Sequence, residues 1–195
     1  MSRRQTPYAL AVEKLLQQVS LAVFSGAAPA SPVVVVVAGG AAVHLYTGSR
    51  VSKDLDAEFL ARMLRPNVVV AYADTDGTQR TVHLDVAYSS TLGVMHEDYL
   101  ERAAPSGWTA SGFDVRVLAP VDLAISKLGR WAEHDQADVR SLVDAGLLNR
   151  DSFERLANEA LSYYVGNVTP VRTNLVEALA MFPPPANSSK KGRQP

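Results

Sequence analysis

Asp54 and Asp56 stand two residues apart in the run Lys53-Asp54-Leu55-Asp56. On an extended backbone such residues point to the same side, so both carboxylates would project from one face, about 7 Å apart. Carboxylates so spaced can hold hard divalent cations. Magnesium fits that chemistry, because it prefers oxygen ligands, keeps several waters and shares its shell with substrate phosphates. Two acids on an exposed edge strand are also commonly just solvated, so the pair takes its meaning from its neighbours. Upstream, Gly39-Gly40 would let backbone amides approach an anion at a strand-to-helix turn, with Arg50 and Lys53 adding positive charge. Downstream, Asp85 falls on the polar face of another strand, where it either faces solvent or supplies a third carboxylate to the same ions.

The elements that must position these residues can be read from periodicity. Thr6-Pro7 opens an amphipathic helix over 7–24. Val33 to Val37 is an unbroken β-branched run, as expected of a strand buried on both faces. A short helix should cover 41–46 and a second strand 55–60. Asp76-Gly77 joins strands 68–73 and 79–87 as a hairpin, with Val82, Leu84 and Val86 on one face and His83 and Asp85 on the other. A further strand spans 113–118. Pro120 starts a helical block that runs through Trp131 to Leu148 and carries Lys127 and Arg130 one turn apart on a shared face. Asp151 with Glu154 and Thr169-Pro170 mark the starts of two last helices, 153–165 and 171–182. The expected fold class is α/β (α+β), a mixed sheet with flanking helices in 1–118, a helical part in 119–182 and a disordered tail in 183–195.

Composition narrows the chemistry. The 195 residues are 47% hydrophobic and 20% charged, enough for one ordinary core, and the absence of cysteine excludes thiol catalysis and sulfur-liganded metals. The net charge of −1 argues against coating nucleic acid by bulk charge. Lys190, Lys191 and Arg193 lie in the tail; without them, 16 of the 19 basic residues face 20 acids, about −4 for the body. The apolar stretch 21–43 is interrupted by Ser25, Pro29, Ser31 and Pro32, and Glu13, Lys14, Gln17 and Gln18 fall where a signal peptide would be apolar, so a cytoplasmic protein without membrane contact is expected. His44, His83, Trp108 and Trp131 read as structural residues.

The arrangement strand, Gly39-Gly40, short helix, Arg50-x-Ser52-x-Asp54-Leu55-Asp56 resembles the signature of the polymerase-β-like nucleotidyltransferase superfamily. It is most similar to small prokaryotic proteins that include AbiEii-type toxins. A second block, Leu123, Lys127-Leu128, Arg130, Asp135 and Asp138, is similar to a helix that follows the catalytic core there, and the resemblance covers about 33–148. It implies a two-magnesium reaction in which a nucleoside monophosphate passes from an NTP to a hydroxyl acceptor. Asp54, Asp56 and Asp85 would be the catalytic, metal-holding carboxylates; Gly39, Gly40, Arg50, Ser52, Lys53, Lys127 and Arg130 would bind nucleotide and phosphate. The acceptor would be tRNA or other RNA, a protein or a small molecule such as an aminoglycoside, and an antitoxin partner is implied by the toxin likeness. Gly40 stands where many relatives carry serine, Ser52 where threonine is commoner, and His134 where arginine often precedes the acidic pair. A catalytically retired fold that only binds nucleotide or protein is the alternative.

Overall fold

A computed structural model describes residues 5–25 and 29–184. Thr6 caps α1 (Pro7–Phe24) by accepting the Ala9 N–H at 3.2 Å, and Pro7 takes the first turn, where its missing N–H costs nothing. Tyr8, Val12, Leu15, Leu16 and Val19 are buried along one stripe. That stripe packs on the hairpin of β4 (Val69–Ala73) and β5 (Gln79–Leu84). Each fully buried aliphatic side chain contributes about 1.5–3 kcal/mol.

Two sheets divide the strands. The four-stranded sheet has the order β3-β1-β7-β6, where β1 is Val33–Val37, β3 Ala57–Phe59, β6 Ala104–Pro105 and β7 Phe113–Val117. β1 runs parallel to β7 and antiparallel to β3, and Val35 to Val37 are fully buried. The three-stranded sheet has the order β2-β5-β4, with β2 (Asp54–Leu55) parallel to β5. The expected single strand over 55–60 is therefore two strands in two sheets. The chain leaves β5 after Leu55 and joins β1 at Ala57, so Asp56 is the residue at which it changes sheets. Sequence alternation alone cannot show this, because Leu55, Ala57 and Phe59 are all buried and keep the period of one strand.

Helices enclose the sheets. α2 (Gly39–Thr47) follows β1 directly, and α3 (Tyr99–Arg102) precedes β6. The expected block 120–148 is split into α4 (Pro120–Lys127) and α5 (Glu133–Asp144), because Trp131 takes a left-handed conformation at φ 54° between them. α6 (Arg150–Ser162) and α7 (Val168–Leu179) complete the chain. Their caps are Asn149 and Asn167, each accepting a backbone N–H two or three residues on, rather than the predicted Asp151 and Thr169. Of the expected tail 183–195, residues 185–195 lie outside the described residues. Among the described residues no helix is long and apolar enough to cross a membrane.

Candidate active site

The change of sheets fixes the geometry around Asp56. Its carbonyl accepts the Ala38 N–H at 2.9 Å, holding it beside the end of β1. Its side chain then lies directly on Gly39, the first residue of α2. Gly39 has φ 56°, and a Cβ there would meet the Asp56 carboxylate oxygen at 1.8 Å, so the position admits only glycine. Asp85 comes to the same place by strand register. Leu55 pairs with Leu84, and the Asp85 N–H donates to the Leu55 carbonyl at 3.0 Å. The Asp85 carboxylate in turn accepts the Ala87 N–H at 2.8 Å, which fixes its orientation just beyond the strand.

Asp56 and Asp85 line a cleft of about 440 Å³ together with Gly39, Lys127, Arg130 and Asp135. Burial pushes the Asp56 carboxyl up from its usual value; Lys127 pulls it back, and the charges of Asp85 and Asp54 push it further up. Three carboxylates that repel one another in this way form an all-oxygen set whose charge a hard cation would relieve. Among the described residues no three His, Asp or Glu side chains already stand as a metal cage. Carboxylate oxygens are the donor type that magnesium takes, so the residue chemistry of Asp56 and Asp85 would suit such an ion. Asp54 is exposed on β2, outside the cleft wall, and acts on Asp56 through its charge.

Opposite the carboxylates sits a cation network built on two buried aspartates of α5. Lys127 Nζ lies 3.0 Å from Asp138 and 3.5 Å from Asp135. Arg130 grips Asp135 with two hydrogen bonds of 2.7 and 2.8 Å, and Arg50 reaches Asp138 at 3.3 Å. Burial raises the Asp135 carboxyl, but the hydrogen bonds from Arg130 and the charges of Lys127 and Arg130 overcome it and hold the group below its usual value. The same contact raises Arg130. Three cations thus share two anions within this network, and Lys127 and Arg130 also act on the charge of Asp56 across the cleft. Lys127 is the last residue of α4, and Arg130 lies in the turn after it, so they do not share a helix face as expected. They converge instead because both bind the acids of α5.

Other candidates fall nearby or elsewhere. A Cβ on Gly40 would lie 2.8 Å from the Ser52 Cβ and 3.0 Å from the Arg50 guanidinium, so Ser52 and Arg50 pack over the backbone where a serine side chain would otherwise stand. Arg50 is further held by its carbonyl, which bonds His44 Nδ1 at 2.6 Å, while His44 Nε2 meets Thr6 Oγ1 at 2.7 Å. His44 is structural, as read. Trp131 is buried and donates to Glu177 at 2.7 Å, and Trp108 is buried too. His134 contacts Arg130 at 2.5 Å. His83 pairs with Thr81. Lys53 lines a separate groove with Ser52, Tyr72 and Arg80 and does not enter the main cleft. Sequence reasoning missed Tyr88, Ser90, Met95, Ser126 and Tyr164 in the cleft wall.

Residues 12–178 match a family described as "Nucleotidyltransferase of unknown function (DUF6036)". No curated protein and no solved structure matches the chain. The match agrees with the nucleotidyltransferase signature of Gly39-Gly40 and Asp54-Leu55-Asp56 and carries nothing specific to AbiEii-type toxins.

Proposed function

The chain belongs to this nucleotidyltransferase family, and on that premise we propose that it moves a nucleoside monophosphate from an NTP to an acceptor hydroxyl, with magnesium as cofactor. One observation carries the reading: Asp56, Asp85 and the pair Lys127 and Arg130, from three separate segments, line one cleft together with Gly39, where a Cβ would strike the Asp56 carboxylate. Asp54, Asp56 and Asp85 would hold magnesium, which when bound supplies charge neutralisation to the triphosphate. Lys127, held by Asp135 and Asp138, and Arg130, held by Asp135, would meet the β- and γ-phosphates. Anchored donors of this kind need no reorganisation as negative charge develops on the leaving group. Gly39, in the cleft wall at the start of α2, would give the phosphates a close approach to the backbone, with Gly40 packed beneath Ser52 and Arg50.

In the transfer step the acceptor oxygen attacks the α-phosphorus. A new O–P bond forms as the bond between the α-phosphorus and the bridging oxygen breaks, and the electron pair leaves with pyrophosphate. The Asp85 carboxylate takes the acceptor proton. RNA, protein side chains and small polyols all offer such a hydroxyl, and a tRNA end, with an antitoxin as partner, is the acceptor that the toxin likeness of the sequence brings. Purified protein incubated with α-labelled NTPs, magnesium and cell extract should label an acceptor and release pyrophosphate. The Asp54→Ala/Asp56→Ala variant should do neither, and equal labelling by that variant would refute catalysis by these residues. Nucleotide binding without turnover in the wild-type protein would favour the retired fold instead.

A further inference from the structure

The sheet β2-β5-β4 ends on one side at β4, and the register of the hairpin shows which backbone groups that edge leaves open. The Leu84 N–H donates to the Val68 carbonyl at 3.2 Å and the Asp74 N–H to the Thr78 carbonyl at 2.9 Å, so the even-numbered residues of β4 bond to β5. Val69, Ala71 and Ala73 therefore turn their N–H and C=O groups outward, and among the described residues no other strand pairs with them. All three are exposed, Val69 by 46%. Their partners on that face of β5 are His83, Thr81 and Gln79, so across these two strands the face carries no lysine, arginine, aspartate or glutamate.

Edge strands are blunted by shortness, proline, a bulge or a charge, because open backbone groups invite another strand. The other edges here follow that rule: β2 has two residues, β3 three and β6 two, one of them Pro105. β4 has five, Val-Val-Ala-Tyr-Ala, in unbroken register.

We propose that β4 is a self-association surface: a second copy of this chain pairs with it antiparallel, about a two-fold axis at Ala71, and joins two three-stranded sheets into one. The open residues are spaced evenly about Ala71. This register sets Val69 against Ala73 of the partner subunit and Ala71 against Ala71 of the partner subunit, so every outward N–H and C=O of both strands is satisfied. Charge selects the direction. β4 runs into the hairpin tip, where Asp74 and Asp76 share a single cation, Arg80. It is approached through Arg62, which is exposed, and Arg65, whose guanidinium holds the Val86 and Tyr88 carbonyls. Antiparallel pairing brings the acidic end of one copy to the basic end of the other, whereas parallel pairing would set like charge on like. α1 already covers the opposite face of the hairpin, so the added strand needs no rearrangement there. No residue of the candidate active site takes part, and the inference stands whether or not the nucleotidyl-transfer reading does.

The test is analytical ultracentrifugation of the full chain over a concentration series. The wild type should pass from monomer to dimer as concentration rises. Ala71→Pro removes an N–H that β5 does not use, so the hairpin keeps its ladder while the bonds at the axis are lost, and the dimer dissociation constant should rise at least about tenfold. Ala71→Lys and Ala71→Glu each oppose two like charges at the axis and should each be monomeric alone. Mixed in equal amounts, these two variants should form a dimer, because a two-fold axis at Ala71 brings their side chains together. Their unfolding temperatures at dilute concentration should match that of the wild type, since the position is exposed. A wild type that stays monomeric at every concentration, a dimer that Ala71→Pro leaves intact, or a mixture of Ala71→Lys and Ala71→Glu that stays monomeric would each overturn the proposal.

Discussion

Replacing Gly39 with alanine tests the site's construction most directly. Two costs add. An L-residue at φ 56° pays about 1–2 kcal/mol for its backbone. The new methyl would also sit 1.8 Å from Asp56 Oδ2 and 2.7 Å from Cγ, so the carboxylate must move within a packed setting, at about 1–3 kcal/mol. The sum, about 2–5 kcal/mol, should lower Tm by about 5–15 °C for a chain of this size. Gly77, at the hairpin tip with φ 80° and nothing within 4 Å of a built Cβ, isolates the first cost. Gly77→Ala should lose only about 1–2 kcal/mol. The assay is urea unfolding of Gly39→Ala, Gly77→Ala and Asp56→Ala, with the Gly39→Ala/Asp56→Ala double variant. Removing the carboxylate leaves only the Asp56 Cβ at 3.0 Å, so the double variant should be more stable than additivity predicts by at least about 1 kcal/mol. Equal losses at Gly39 and Gly77, or strict additivity with Asp56→Ala, would show that the carboxylate does not rest on Gly39.

Further outcomes follow from the ion pairs. Asp138→Ala leaves Lys127 with Asp135 at 3.5 Å and Arg50 without its partner, so urea unfolding should show a loss of about 2–4 kcal/mol, more than Lys127→Met, which leaves each aspartate an arginine. Arg102→Leu strands Asp122, which is fully buried, and should cost about 3–5 kcal/mol by the same measurement. Because the Asp135 carboxyl is held below 3.8 in the folded protein, its contribution is present above that pH and lost as pH falls through the lowered value. The stability gap between wild type and Asp135→Asn in a pH series of thermal melts should therefore close on acidification. Asp56 carries a buried charge that its surroundings oppose, so Asp56→Asn should raise Tm in metal-free buffer at neutral pH while abolishing NTP-dependent labelling.

Much of this was legible in the residues. The helix 7–24 and the strand 33–37 occupy their predicted spans, because a cap, a proline and an uninterrupted β-branched run are local signals. The Asp76-Gly77 hairpin was equally local. What sequence could not show depends on pairing. Asp56 ends one strand and precedes another, which is decided by the neighbours Leu84 and Val37 rather than by its own segment. Trp131 breaks the helical block at a residue type that rarely takes a left-handed backbone, so no turn signal announces it. The convergence of Lys127 and Arg130 was expected from helical spacing, and arises instead from two aspartates on the next helix. Asn149 and Asn167 cap α6 and α7, each starting its helix upstream of the acidic and hydroxyl residues that also carry a cap signal. A cleft lined by Glu58, Tyr99, Tyr163 and Tyr164 had no sequence signal, because its walls come from segments as far apart as Glu58 and Gly166.

The passage of the chain from one sheet to the other at Asp56 has a dynamic consequence. The Ala38 amide bonds the Asp56 carbonyl, and the Asp85 amide bonds the carbonyl of the residue before it. Each bond extends the ladder of its own sheet, Ala38 that of β1 with β3 and Asp85 that of β5 with β2, so peeling the segment 54–59 away from both sheets opens the two together and dismantles the cleft. Ala38 and Asp85 should then exchange their hydrogens with deuterium as one cooperative unit, slower than the exposed hairpin tip. A molecule that fills the cleft would slow both at once, giving a readout of occupancy that needs no turnover and no knowledge of the acceptor.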